Sequence, residues 1–290
     1  MPNKDIIRIR EEVEAQAIKD MQGMLLAYKR SLDEVQKHIN QIHAQYLLDG
    51  ELTVSRQQRY SVLRELERLL IEEAQKVGLV EIEETTNILT TVYNESYYQT
   101  AFIIDAGIAT TLTFSVVQPE FVRAVVNSPI EGKMFSDRIW NNKDILANRV
   151  LEEIEKSMIQ GKDVRKISRA IKKEFEVSAY EAKRLVVTEQ ARVSNAAHKS
   201  IYEQSSVVNK VMIDATLDSK TSEICRGYDG NIYNANSNYP TPPFHPNCRS
   251  VIIPIVNGWS PTKKRENEGD KKIIDYTTYE KWKKSRNVES

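Results

Sequence analysis

Apolar residues recur in alternating steps of three and four from Ile18 to Tyr46, through Met21, Leu25, Tyr28, Leu32, Val35, Ile39 and Ile42. That spacing lays one stripe along one helical face and predicts a single long helix. Leu48-Asp49-Gly50 ends it, with Gly as the left-handed cap, and Ser55 with Gln58 forms a capping box for a second helix striped by Leu63, Leu66, Leu70, Ala74 and Val77. Two stripes and a short connector predict an antiparallel hairpin. At 1.5 Å per residue the first stripe covers about 42 Å and the second about 21 Å. Half of the first therefore needs another cover, either the segment after Glu84 or a partner.

From Glu84 to Asn127 the pattern stays mostly helical, with Pro119 opening a helix through Val126 and Asn127-Ser128-Pro129 breaking it. A helix follows from Ile139 to Gln160, closed by Gly161, and Val164, Ile167, Ala170, Ile171 and Phe175 mark the next turns. Ser178 with Glu181 then predicts the start of a separate helix reaching about Tyr202. The β-branched runs 208–213 and 251–255, with turn-rich sequence between them, predict strands. The fold class is mainly α with a small α+β C-terminal module. Three regions are expected: a helical N-terminal domain over 1–128, a motif-bearing domain over 129–256, and a charged tail over 257–290 that orders only against a partner.

A chain of 290 residues has room for about two domains. No apolar run approaches the roughly 20 residues that span a bilayer, and the first ten residues carry charge where a signal peptide needs an apolar core. Two cysteines, Cys225 and Cys248, are too few for a disulfide framework and fit a reducing compartment, so a protein made and kept in cytosol is expected. Forty-one basic and 41 acidic residues exclude the strong positive charge of a dedicated nucleic-acid binder. Residues 1–100 hold 12 basic and 17 acidic side chains, whereas 145–200 hold 12 and 8, which assigns any DNA contact to the second half. Solvated helix faces account for such an excess equally well.

The most distinctive stretch is Pro242-Pro243-Phe244-His245-Pro246-Asn247-Cys248-Arg249, preceded by Asp218, Cys225 and the turn pair Asp229-Gly230. Its prolines restrict the backbone and hold the His and Cys side chains in place. His245 and Cys248 have the spacing of a metal knuckle, Cys225 offers a third ligand, and Ser222 at the natural fourth position is not a credible zinc ligand. Asp218 or Asp229 would substitute weakly. The expectation is a module with no cofactor in which both cysteines are buried as small apolar groups, and zinc is the lesser alternative. An enzymatic alternative is a metal-dependent nuclease or hydrolase using His245 with Asp218, Asp229 and Glu189. The chain lacks a phosphate-cradling Gly-rich loop, a His-Glu-x-x-His and paired histidines beside the motif, so no catalytic residue is assigned.

Gly132-Lys133-Met134-Phe135-Ser136-Asp137-Arg138-Ile139, Leu185-Val186-Val187-Thr188-Glu189, Asn195, and the order Asp218, Asp229-Gly230, His245-Pro246-Asn247-Cys248-Arg249 resemble the head-morphogenesis proteins of tailed phages, the phage Mu F-like family. The resemblance covers about the second half. It implies a non-enzymatic minor head protein that assembles in the host cytoplasm and ends inside the phage head. The implied partners are the portal protein, other head proteins and non-specific double-stranded DNA, with delivery at ejection and no membrane contact. Many relatives carry a Cys-x-x-Cys before the Asp-Gly turn and a Cys after the final Arg, where this chain has Ser222 and Ser250. The resemblance therefore leaves Cys225, His245 and Cys248 as the remnant of a metal site. Thr188 and Glu189 are expected to make anchoring hydrogen bonds, and Arg249 to pair with Asp218.

Overall fold

A computed structural model describes residues 2–48, 51–52, 55–108, 115–160, 164–256, 261–267 and 272–286. Helices account for most of them: α1 Pro2–Asp20, α2 Gln22–Tyr46, α3 Arg56–Ile108, α4 Pro119–Val126, α5 Phe135–Ile159, α6 Val164–Gln204, α7 Glu223–Tyr228 and α8 Tyr279–Arg286. The strands are β1 Leu47–Leu48, β2 Glu51–Leu52, β3 Val208–Asp214, β4 Ile232–Asn234, β5 Val251–Val256, β6 Lys263–Arg265 and β7 Ile273–Asp275. Mainly helical structure with a small antiparallel module near the C-terminus is the fold class expected. The chain forms two compact units, one from Met1–Lys19, Ile88–Ser128 and Leu185–Ser290, the other from Asp20–Asn87 and Pro129–Arg184.

The unit of 20–87 and 129–184 contains α2, the first part of α3, α5 and the first part of α6. Helix α2 buries Met24, Tyr28, Ser31, Val35, Ile39 and Ile42, and Met21 just before it is buried as well. The three-and-four stripe is real but is centred on Met24 and Ser31, with Leu25 and Leu32 only half buried beside it. It begins later than expected, because the chain changes helix at Met21 and Ile18 belongs to α1, where it is exposed. Beyond Tyr46 the backbone pairs Leu47 with Leu52 and Leu48 with Glu51; Asp49 and Gly50 lie outside the described residues. Ser55 and Gln58 do make the reciprocal capping box, at 3.1 and 3.3 Å, and α3 then runs on past Val77. His38 meets Glu65 and Tyr28 meets Glu81, so α2 and α3 are antiparallel and the added length of α3 covers the surplus stripe. Gly78 is required within α3, since a Cβ there would stand 2.5 Å from the Trp140 ring.

Helix α6 corrects one expectation. Ser178 and Glu181 start no new helix: residues 164–204 contain neither Gly nor Pro, and the buried series Ile167, Ile171, Phe175, Ser178, Ala182 continues unbroken. A capping-box pattern inside such a run has no helix end to cap. The Ser178 hydroxyl instead lies 3.3 Å from that of Tyr28. Gly161 falls outside the described residues, just past the C-cap Gln160 of α5.

The second unit carries the β module. The sheet order is β4-β3-β5, all antiparallel, with Val211 opposite Tyr233 on one side and Pro254 on the other. Pro254 is tolerated because β5 is an edge strand. The module is tied to the last part of α6 by Asn195, whose side-chain amide donates to the Ser250 carbonyl at 3.3 Å and accepts from the Ile252 N–H at 3.0 Å, as a neighbouring strand would. Tyr202, about two turns further along the same helical face, donates to the Ile252 carbonyl. The tail does not wait for a partner. Tyr279 and Trp282 of α8 are buried against Leu217, and the Trp282 indole donates to Glu266 at 2.5 Å. The cause is chemical: aromatic rings and a fully buried Lys264 give this stretch a core that its high charge conceals.

Candidate functional site

The motif residues converge on the β module and on the α6 helix that backs it. Asp229 follows α7 and accepts three hydrogen bonds, from the Ala215 N–H at 2.9 Å, the Lys264 ammonium at 2.5 Å and the Tyr279 N–H at 2.7 Å. It thereby joins β3, β6 and the start of α8. Lys264 also meets Asp214 at 3.2 Å. Gly230 turns with φ +80° and donates to the Ile213 carbonyl at 2.8 Å, a conformation that a side chain would strain.

Asp218 accepts from Arg249, from Thr221 at 3.0 Å and from Asn267 at 3.2 Å. Burial alone would push its carboxyl up, but the Arg249 charge and these hydrogen bonds together hold it below the usual range. The Arg249 backbone carbonyl is held in turn by the Thr216 hydroxyl at 3.1 Å. Arg249 and Asp218 are thus the pair that their place in the motif suggested.

Thr188 and Glu189 sit side by side on α6 with different partners. The Thr188 hydroxyl accepts the Asn247 N–H at 2.9 Å, pinning the proline-rich loop to the helix. Glu189, buried, holds Arg192 at 2.6 Å, and Arg192 forks its guanidinium onto the Val125 and Val126 carbonyls at the end of α4. Sequence reasoning missed Arg192 and Lys264. The i, i+3 spacing of Arg192 from Glu189 was an available signal, whereas nothing in sequence marks Lys264 as buried.

Cys225, His245 and Cys248 meet in a cluster, their ligand atoms all within 4.8 Å of one another. The Cys225 sulfur is 3.1 Å from His245 Nε2 and 3.7 Å from the Cys248 sulfur. His245 Nδ1 lies 2.8 Å from the Pro246 carbonyl, so it carries the proton and donates, which leaves the Nε2 lone pair facing the sulfurs. A turn closed by the Cys248 N–H on the His245 carbonyl at 3.1 Å, with Asn247 at φ 59°, presents both side chains to one side. Cys225 comes from α7, whose N-cap Ser222 accepts its N–H at 3.3 Å. The Cys225 hydrogen bond draws the Cys248 thiol down to about 5 despite burial, and the same bond, with burial, pushes Cys225 up. Ala215 and Phe244 close the apolar surround. All nine motif residues therefore lie in one unit, in three linked groups around Cys225, Asp218 and Asp229, with Glu189 facing away toward α4.

Residues 148–253 match the family model described as Phage Mu protein F like protein. Among curated proteins, the chain is 24% identical over 273 residues to Minor head protein GP7 of Bacillus phage SPP1, covering 88% of this chain and 89% of that protein. It is 24% identical over 204 residues to NAD(+)--arginine ADP-ribosyltransferase EFV of Enterococcus faecalis, covering 65% of this chain but 42% of that protein. No solved structure matches.

Proposed function

From a chain whose residues 148–253 carry the phage Mu F-like segment, we propose a non-enzymatic minor head protein that acts in head assembly, in contact with the portal and with packaged DNA. The observation that carries this reading is the extent of similarity to the SPP1 minor head protein, 89% of whose length corresponds to this chain. Both the helical N-terminal part and the motif module are needed to reach that span. Assembly begins in the host cytoplasm and ends with the protein inside the virion. Contact with DNA is of the phosphate-neutralising kind, through the basic excess of 145–200, without base readout. Delivery with the DNA at ejection belongs to the same proposal.

The Enterococcus relative bears an enzyme's name, which motivates testing transfer from NAD+ as well as hydrolysis. The geometry favours a structural use of the candidate acid and base groups. Asp218 is spent on Arg249, Thr221 and Asn267, Asp229 on Lys264 and two backbone N–H groups, and Glu189 on Arg192. Pull-down of the tagged chain from cells assembling heads tests the partner: the portal protein should co-purify at a fixed ratio. Recovery of heads and portals without the chain would overturn the reading.

A further inference from the structure

We infer that Cys225, His245 and Cys248 bind one zinc ion with three protein ligands and a fourth position left to water. The donor set is soft and mixed, two sulfurs and one imidazole nitrogen, which selects zinc over magnesium or calcium. The spacing is that of ligands around one centre. Tetrahedral zinc with Zn–S of about 2.3 Å and Zn–N of about 2.0 Å sets sulfurs about 3.8 Å apart and sulfur about 3.5 Å from nitrogen. The chain already holds the two sulfurs at 3.7 Å and the Cys225 sulfur 3.1 Å from the imidazole nitrogen, and all three ligand atoms lie within 4.8 Å of one another, so the ion requires the His245 ring and the cysteine side chains to close by about an ångström at most.

Orientation is a second, independent observation. Metal-bound histidines usually donate their other ring N–H to a carbonyl or carboxylate, which fixes the ring and its tautomer. His245 does this through Nδ1 to the Pro246 carbonyl, and the free Nε2 points into the sulfur pair. The His245–Cys248 turn and α7 bring the ligands from two separate segments, and both cysteines are almost fully buried. An ion there would cross-link α7 to the proline-rich loop, which Thr188 anchors to α6.

Among the described residues the cluster has three such ligands and no fourth. The hydroxyls of Ser222 and Ser250 both lie against the Cys225 sulfur, where thiolates would close a four-ligand site. A neutral alcohol is a poor zinc ligand, so the site is open and its ion more exchangeable than in a closed one. Placing a thiol at Ser222 should close it.

The test uses the full chain purified under reducing conditions without chelator. Elemental analysis should find one zinc per chain, and cobalt substitution should give the intense visible bands and thiolate charge-transfer band of a tetrahedral sulfur-ligated site. Chelator competition should show Ser222→Cys retaining zinc at least tenfold more tightly. His245→Ala and Cys248→Ser, checked for folding by circular dichroism, should lose the cobalt bands. Substoichiometric zinc together with a cobalt spectrum of octahedral oxygen ligation in the unmodified chain would overturn the proposal without recourse to any variant. So would recovery of a Cys225–Cys248 disulfide as the only form in reducing buffer. Neither result bears on whether the chain enters heads.

Discussion

The Asn247 N–H donates to the Thr188 hydroxyl at 2.9 Å, across 59 positions of sequence. Through that bond the loop bearing His245 and Cys248 is fixed to the helix bearing Glu189, and the motif's scattered pieces become one structure.

Removing the acceptor while keeping the shape isolates its contribution. Thr188→Val leaves the Asn247 N–H without its partner, and the expected loss is about 1–3 kcal/mol of unfolding free energy. Thr188→Ser should restore most of it. Denaturant titration of the three proteins checks this, and equal midpoints for all three would show that the loop is held by other means.

The C-terminal segment should behave as part of the module. Trp282→Ala empties a site packed on Leu217 and breaks the bond to Glu266, with an expected cost of about 3–5 kcal/mol. Limited proteolysis should then cut the variant between 261 and 286 while the original chain resists. A Trp282→Ala protein as stable and resistant as the original would mean the segment is dispensable to the fold.

The other unit contains a buried polar group whose titration has a definite sign. Lys143 meets Glu81 at 2.8 Å, Tyr28 donates to Glu81 at 2.8 Å, and the ammonium sits 4.1 Å from the Tyr28 ring centre. Burial pushes Glu81 up to about 8 and Lys143 down to about 7. Raised above its unfolded value, Glu81 contributes stability that is present below about 4.5 and lost as pH rises through about 8. Lys143, lowered from 10.5, contributes stability present at high pH and lost as pH falls through about 7. Lys143→Met removes the second effect and leaves the first. That variant should be roughly 3–5 kcal/mol less stable above pH 8, where Glu81 must ionise without its partner, and should gain stability steadily from pH 8 toward pH 5. Adding Glu81→Gln should flatten the slope. Denaturation at four pH values decides it; a flat profile for Lys143→Met would show that Glu81 is not desolvated.

No cleavage of DNA or RNA is expected with magnesium, manganese or zinc, and no transfer of label from NAD+ to arginine. Metal-dependent cleavage abolished by His245→Ala would instead support the hydrolase alternative.

What the sequence revealed was what short-range rules govern. Ser55 and Gln58 are three residues apart and cap as their spacing required, and β3 and β5 announce themselves as β-branched runs. Asp218 and Arg249 were paired because both sit in one motif. Ser178 and Glu181 misled because the same local signature carries no information once a helix is already running and its face is already covered. Glu81, Lys143 and Lys264 were invisible because spacing marks apolar faces, while charged residues are read as solvated by default. Tyr279 and Trp282, three residues apart on one helical face, were a legible sign of a core in the tail that its lysines obscured. Cys225, His245 and Cys248 were nominated together from spacing, but their mutual distances and the orientation of the imidazole depend on α7 and the loop meeting in space.

The central claim is that this chain is a minor component of a phage head, and quantitative mass spectrometry of purified DNA-filled heads tests it most directly. Peptides from both 1–128 and 129–290 are expected, protected from added protease, at a small fixed number of copies against a large excess of major capsid protein. Heads of normal composition and infectivity with no copy of the chain would contradict it.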